Sequence, residues 1–125
     1  MKKVDAEQYI ICFDLDNTIC STKNNNYNSS KPNLKVVKII NDLYNKGFII
    51  KIFTSRFMGR NNENKELANE QGLKFTKNQL KKWKIKYNKL IMGKPSYDLL
   101  IDDKALGFKK NWYKFFNTNK FLFKK

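Results

Sequence analysis

The chain has no histidine. Imidazole is therefore absent as general base, nucleophile partner and metal ligand, which excludes Ser-His-Asp and His-zinc chemistry. Cysteine is almost as scarce. Cys12 and Cys20 are the only two and form no Cys-x-x-Cys pair. Both read as reduced thiols, as expected of a cytoplasmic protein, and no disulfide framework can be built from them. No apolar run approaches the roughly 20 residues of a membrane-spanning helix. The opening residues, Met1 to Glu7, carry charge but no apolar h-region, so no signal peptide and no transmembrane segment are expected.

Acidic residues are also few: 11 against 26 basic ones, for a formal charge of +15. A field of that sign draws in anions and raises nucleic acid as a partner. Arginine, the usual residue for bidentate phosphate and base contacts, is nearly missing, however. Arg56 and Arg60 are the only two, and the remaining basic residues are lysine. Abundant Lys, Asn, Ile and Phe match codons rich in A and T, so base composition explains much of the charge. A small anionic substrate is favoured over nucleic acid.

At 125 residues with 41% hydrophobic content, the chain suits one domain with a packed core. Strand and helix patterns alternate, which predicts an α/β domain with a mainly parallel sheet flanked by helices. The first strand is expected over residues 8–15. Residues 21–31, rich in Ser and Asn, read as a mobile loop near the strand's end. Pro32-Asn33 opens a helix that Gly47 closes. Residues 48–53 form a second, buried strand. A polar helix is expected over 62–71, stopped by Gly72, and Thr76 with Gln79 matches a capping box that starts another. Residues 90–92 and 97–101 read as two further strands.

The apolar run Tyr9-Ile10-Ile11-Cys12 leads into Phe13-Asp14-Leu15-Asp16-Asn17-Thr18. An Asp-x-Asp at the carboxyl end of a strand stands where open α/β sheets bind ligands. Two neighbouring carboxylates repel unless a cation or proton lies between them, which points to a hard divalent metal and phosphate chemistry. Two other strands end in polar signatures, Thr54-Ser55-Arg56 and Asp102-Asp103, and Lys94 precedes the last. Parallel strands bring such ends to one edge.

In this order the signatures resemble the haloacid dehalogenase (HAD) superfamily of phosphatases: Asp14-Leu15-Asp16-Asn17-Thr18, then Thr54, then Lys94, then Asp102-Asp103. Residues 56–60, 79–83, 93–95 and 101–105 further resemble a subgroup of small capsular-polysaccharide-biosynthesis phosphatases. The resemblance implies a Rossmann-like (HAD-like) sheet and Mg²⁺-dependent hydrolysis of a phosphomonoester, a sugar phosphate or related small metabolite. Asp14 would attack phosphorus. Asp16 would protonate the leaving oxygen and then activate water. Thr54 would hydrogen-bond the phosphoryl group, and Lys94 would balance its charge. Asp102, with Asp103 beside it, would hold Mg²⁺ together with Asp14 and the backbone carbonyl of Asp16. Ser55, Arg56 and Arg60 are candidate substrate contacts, although both arginines suit a solvated surface equally, and Thr54 also suits a turn cap. Between the signatures there is no room for a cap domain. The site should be open unless residues 21–31 or a second copy in a homo-oligomer covers it.

Two other functions remain alternatives: a nucleotide or nucleic-acid-end phosphatase, and a non-catalytic basic binding module. The last segment, residues 108–125, alternates lysines and aromatics. It reads first as a terminal helix and strand packed on the core, and second as a surface for nucleic acid or anionic membrane.

Overall fold

The computed structural model describes residues 9–117. The expectations for Met1 to Glu7, for the start of the first strand and for the run Phe121-Leu122-Phe123 lie outside that range.

Three parallel strands make the main sheet: β1 (Ile10–Asp14), β4 (Ile49–Thr54) and β5 (Lys89–Met92), in the order β1-β4-β5. Their register places Phe13 beside Ile52 and Leu90, and Asp14 beside Phe53 and Ile91. Residues two apart share a face. Phe13, Ile50 and Ile52 are buried on one face. Lys51, Phe53 and Ile91 on the other are only partly buried. β4 alternates half-buried and buried along its length, as a central strand covered more completely on one side does.

The two helices fill the covered face. α1 (Leu34–Asn45) starts at Asn33, whose side chain accepts from the Lys35 and Val36 amides, and it closes before Gly47 at φ 96°. Its stripe of Val36, Val37, Ile40 and Leu43 joins Phe13, Ile50, Ile52 and Leu80 in one core cluster. α2 (Lys65–Lys82) supplies Leu80. The sequence predicts two helices here; the structure has one, unbroken through Gly72 and Thr76.

The reason is local packing. Gly72 does not end the helix but makes room beneath it. A Cβ there would collide with Phe57 Cδ2 and lie 2.9 Å from Met92 Cε. Gln79 does not reach back to Thr76 as a capping box would; it reaches to Arg56 and to the Tyr27 carbonyl. Gly72→Ala should therefore destabilise the protein. Alanine's helix propensity gains up to about 1 kcal/mol, but overpacking costs about 1–3 kcal/mol. Denaturant unfolding reads the net loss.

Residues 21–31, expected as a loop, fold into a small flap. β2 (Cys20–Ser21) and β3 (Lys31–Pro32) pair antiparallel, and a 3₁₀ turn at Tyr27–Ser29 joins them. Of the C-terminal aromatics that are described, Phe108 is exposed, whereas Trp112, Tyr113, Phe115 and Phe116 pack partly buried against the core. A 3₁₀ segment, Trp112–Asn117, sets Trp112 and Phe116 against Phe13 with ring centroids 6.0 and 6.4 Å away.

The strand expected at 97–101 is absent. Leu99, Leu100 and Ile101 are 77%, 52% and 89% exposed and pair with no edge. An apolar run fits a strand only if an edge receives it. Here Pro95 offers no amide, and Ser96 is held to Glu63 by both its amide and its hydroxyl. No helix among the described residues is long and apolar enough to cross a membrane.

Candidate active site

The carboxyl ends of β1 and β4 lie side by side, because the strands are parallel and in register. Asp14 closes β1 with its side chain 35% exposed. Its Oδ2 accepts from the Thr18 hydroxyl at 3.1 Å, and its Oδ1 lies 3.2 Å from Lys94 Nζ. Lys94 follows β5, and its backbone amide donates to the Thr54 carbonyl at 3.1 Å. Gly93 makes the bend at φ 91°. Asp14, Thr54 and Lys94, predicted from three separate motifs, thus meet at one edge.

Burial works against the charge on Lys94. Tyr97, whose ring centroid is 5.1 Å from Nζ, and Asp14 more than offset it, and the Lys94 pKa stands above its usual 10.5. A raised lysine pKa means that the folded state holds the proton more tightly. The stabilisation is complete below the unfolded value and is lost as pH rises through the folded one. The stability difference between the native protein and Lys94→Met should therefore stay constant from about pH 7 to about pH 10 and shrink only above that. Unfolding titrations over that range check it.

Asp16 sits in a tight turn. The Leu15 carbonyl accepts from the amides of Thr18, Ile19 and Cys20, and Asn17 adopts φ 63°, a conformation asparagine tolerates. Arg56 reaches Asp16 from the loop after β4. Its Nη2 lies 2.8 Å from Oδ1 and its Nε 2.9 Å from Oδ2, a two-pronged clamp. Nη1 donates to Gln79 Oε1 at 2.6 Å, and the guanidinium lies 4.7 Å over the Tyr27 ring. Thr22 Oγ1 adds a 2.6 Å bond to Asp16 Oδ1 and is itself 2.6 Å from Ser30 Oγ. Cys20, whose Sγ lies 3.6 Å from the same oxygen, has its thiol pKa pushed up to about 11 by burial and then by the Asp16 charge. It stays protonated and unreactive at neutral pH.

The pair Asp14 and Asp16 therefore needs no metal to coexist. Each carboxylate has its own cation, Lys94 for one and Arg56 for the other. This corrects the reading of Arg56 as a substrate contact or a solvated residue. It is 1% exposed, and its donors are committed within the protein. Sequence reasoning missed its partners Thr22, Ser30, Tyr27 and Gln79. One signal was available: in a chain where lysine is the default cation, a retained arginine marks a place that needs a planar fork.

Thr54 is 1% exposed, and its hydroxyl accepts from the Arg56 amide at 3.2 Å, as a turn cap does. Ser55 is partly buried, and its carbonyl accepts from the Met58 amide. Arg60 is exposed and lies over the Phe57 and Tyr27 rings, 4.5 and 5.6 Å from their centroids. Asp102 and Asp103 are exposed, and Asp102 Oδ1 accepts from the Lys104 amide in a turn. Among the described residues no three Asp, Glu, Cys or His side chains gather as a metal site. Asp102 and Asp103 therefore do not join Asp14 and Asp16, and the expected Mg²⁺ donor set is not assembled.

No family model matches the chain, and no curated protein matches it. A crystal structure of an MCSG target protein from Vibrio cholerae is similar at 27% identity and a TM-score of 0.74. The match covers 79% of this chain and 83% of that one. The similarity extends over most of both chains and supports the α/β architecture, a parallel sheet with flanking helices, consistent with a Rossmann-like fold.

Proposed function

We propose that the protein is a HAD-type phosphomonoester hydrolase with Asp14 as its nucleophile. The observation that carries this reading is the convergence of a half-exposed Asp14, Lys94 and the end of β4 at one sheet edge. Attack by an Asp14 oxygen on phosphorus would break the bond to the leaving oxygen and form an aspartyl-phosphate. Water would then attack phosphorus, giving up a proton to the group that had protonated the leaving oxygen, and release phosphate, restoring the carboxylate. Splitting hydrolysis in this way replaces one difficult step with two easier ones. Phosphate ester and carboxylate are both anions, and the Lys94 ammonium lowers the repulsion between them.

Asp16 is the expected proton donor to the leaving oxygen, but both its oxygens are engaged by Arg56. The donor role requires it to leave that clamp. As placed, Asp16 fixes the turn that presents Asp14 and Thr18. The resemblance also implies Mg²⁺, which when bound would neutralise phosphate charge. The residues as placed do not fit it, because Asp102 and Asp103 would first have to move from their exposed positions. No step above depends on the metal.

Phosphate release from sugar phosphates, nucleotides and phosphorylated oligonucleotides, with Mg²⁺ and with EDTA, tests the reading. Release that stops on chelation supports the metal-dependent form. Release that persists removes the metal and keeps the nucleophile. No release from any ester overturns the proposal.

A further inference from the structure

A cavity of about 370 Å³ opens between the flap and α2, and no step of the proposed chemistry uses it. That volume falls within the range of small-molecule sites. One wall is aromatic: Tyr27, Phe57 and Phe75, with ring centroids 5.1 Å apart for the first pair and 6.2 Å for the second. Asn25, Asn26 and Asn28, all exposed, line the flap side. Arg60 and Gln71 complete the lining. The Arg60 guanidinium has no carboxylate partner among the described residues.

The cavity is joined to the Arg56 clamp on Asp16. Tyr27 carries Arg56 over its ring at 4.7 Å and Arg60 at 5.6 Å. Phe57 follows Arg56 directly and sits at φ 68°, a left-handed conformation costly for an aromatic residue. Several contacts hold it there. Its amide donates to the Tyr27 hydroxyl, its carbonyl accepts from Asn61, and its ring lies over Gly72. Such strain persists only where the surroundings impose it, and it marks functional sites more often than plain surface.

We infer that this cavity is a specificity subsite for the organic part of the substrate, a polyhydroxylated group bearing a negative charge of its own. The inference rests on the phosphatase reading for its substrate but not for its binding chemistry. Three amides offer donors and acceptors side by side, which suits vicinal hydroxyls. The aromatic wall suits the apolar face of a ring. The unpaired guanidinium suits a carboxylate or a second phosphate. A nucleobase fits less well. Tyr27 and Phe57 are tilted by 43°, and Phe57 and Phe75 stand at 75°, so no parallel slot exists.

The test compares glucuronic acid 1-phosphate, glucose 1-phosphate and adenosine monophosphate as substrates of the full chain, its Arg60→Ala variant and its Arg60→Lys variant. Glucuronic acid is also titrated onto Asp14→Asn and onto Asp14→Asn/Arg60→Ala by calorimetry. The acidic sugar ester should be preferred over the neutral one by at least about tenfold in kcat/KM, largely through KM. That ratio should fall close to one in Arg60→Ala and lie between in Arg60→Lys. Glucuronic acid should bind Asp14→Asn and lose affinity when Arg60 is removed as well. Equal use of charged and neutral sugar esters, unaffected by Arg60→Ala, overturns the subsite and leaves the phosphatase reading standing. Preference for adenosine monophosphate overturns it in favour of a base. Arg60-dependent binding of glucuronic acid without turnover of any ester upholds the subsite while the phosphatase reading falls.

Discussion

Arg56→Met should lower the unfolding free energy by about 3 kcal/mol, the low end of the range for breaking one side of a buried ion pair. Methionine matches much of the buried volume, so little of that loss comes from a cavity. What remains is the Asp16 carboxylate without its cation. Asp16 keeps 21% of its side-chain exposure, and water can reach part of the charge, which is why the low end applies. Gln79 Oε1 and Ser30 Oγ lose a donor as well. Arg56→Lys should not rescue the loss, because an ammonium cannot bridge both Asp16 oxygens and reach Gln79. Adding Asp16→Asn to Arg56→Met should recover part of the stability, since it removes the stranded charge. Chemical denaturation of the single and double variants gives the coupling directly. A loss below about 1 kcal/mol would place Arg56 in solvent after all.

Asp14→Asn should reduce turnover by about 10⁴-fold or more, the scale seen when a nucleophile is removed. Its effect on stability should stay within about 1 kcal/mol, because the Asp14–Lys94 pair is partly exposed. Asparagine keeps an oxygen to accept from Thr18. Asp16→Asn should behave differently and lose both stability and turnover, since the fully buried Arg56 would be left without its anion. The contrast between two aspartates only two residues apart separates a nucleophile from a positioning group. Parallel measurements of phosphate release and urea unfolding on both variants give it.

The alternation of strands and helices was legible because the core signal is strong at Ile10–Asp14, Asn33–Asn45 and Ile49–Thr54, where apolar period and caps agree. It failed where tertiary contacts overrode local signals. Gly72 reads as a helix stop, but the Phe57 ring occupies the space its missing side chain leaves. Thr76 and Gln79 have capping-box spacing, but Gln79 is drawn away by a buried arginine 23 residues earlier. Tyr97–Ile101 reads as a strand from its apolar run, and no local signal says whether a sheet edge receives it.

Asp14, Thr54 and Lys94, expected from motif order, lie together at one sheet edge. The sequence could not reveal that Arg56 would clamp Asp16, because that pairing spans 40 residues. Nor does it show the cavity at Phe57, which exists because an aromatic residue in a left-handed turn meets a flap that local reading made a loop.

The most direct measurement is acid-quenched trapping of the protein during turnover of an accepted phosphate ester, followed by peptide mass spectrometry. A phosphoryl group on the peptide containing Asp14, absent in Asp14→Asn and discharged by hydroxylamine, is the expected result. Turnover with no phosphoryl-enzyme at any quench time, or undiminished turnover by Asp14→Asn, would contradict the assignment of Asp14 as nucleophile.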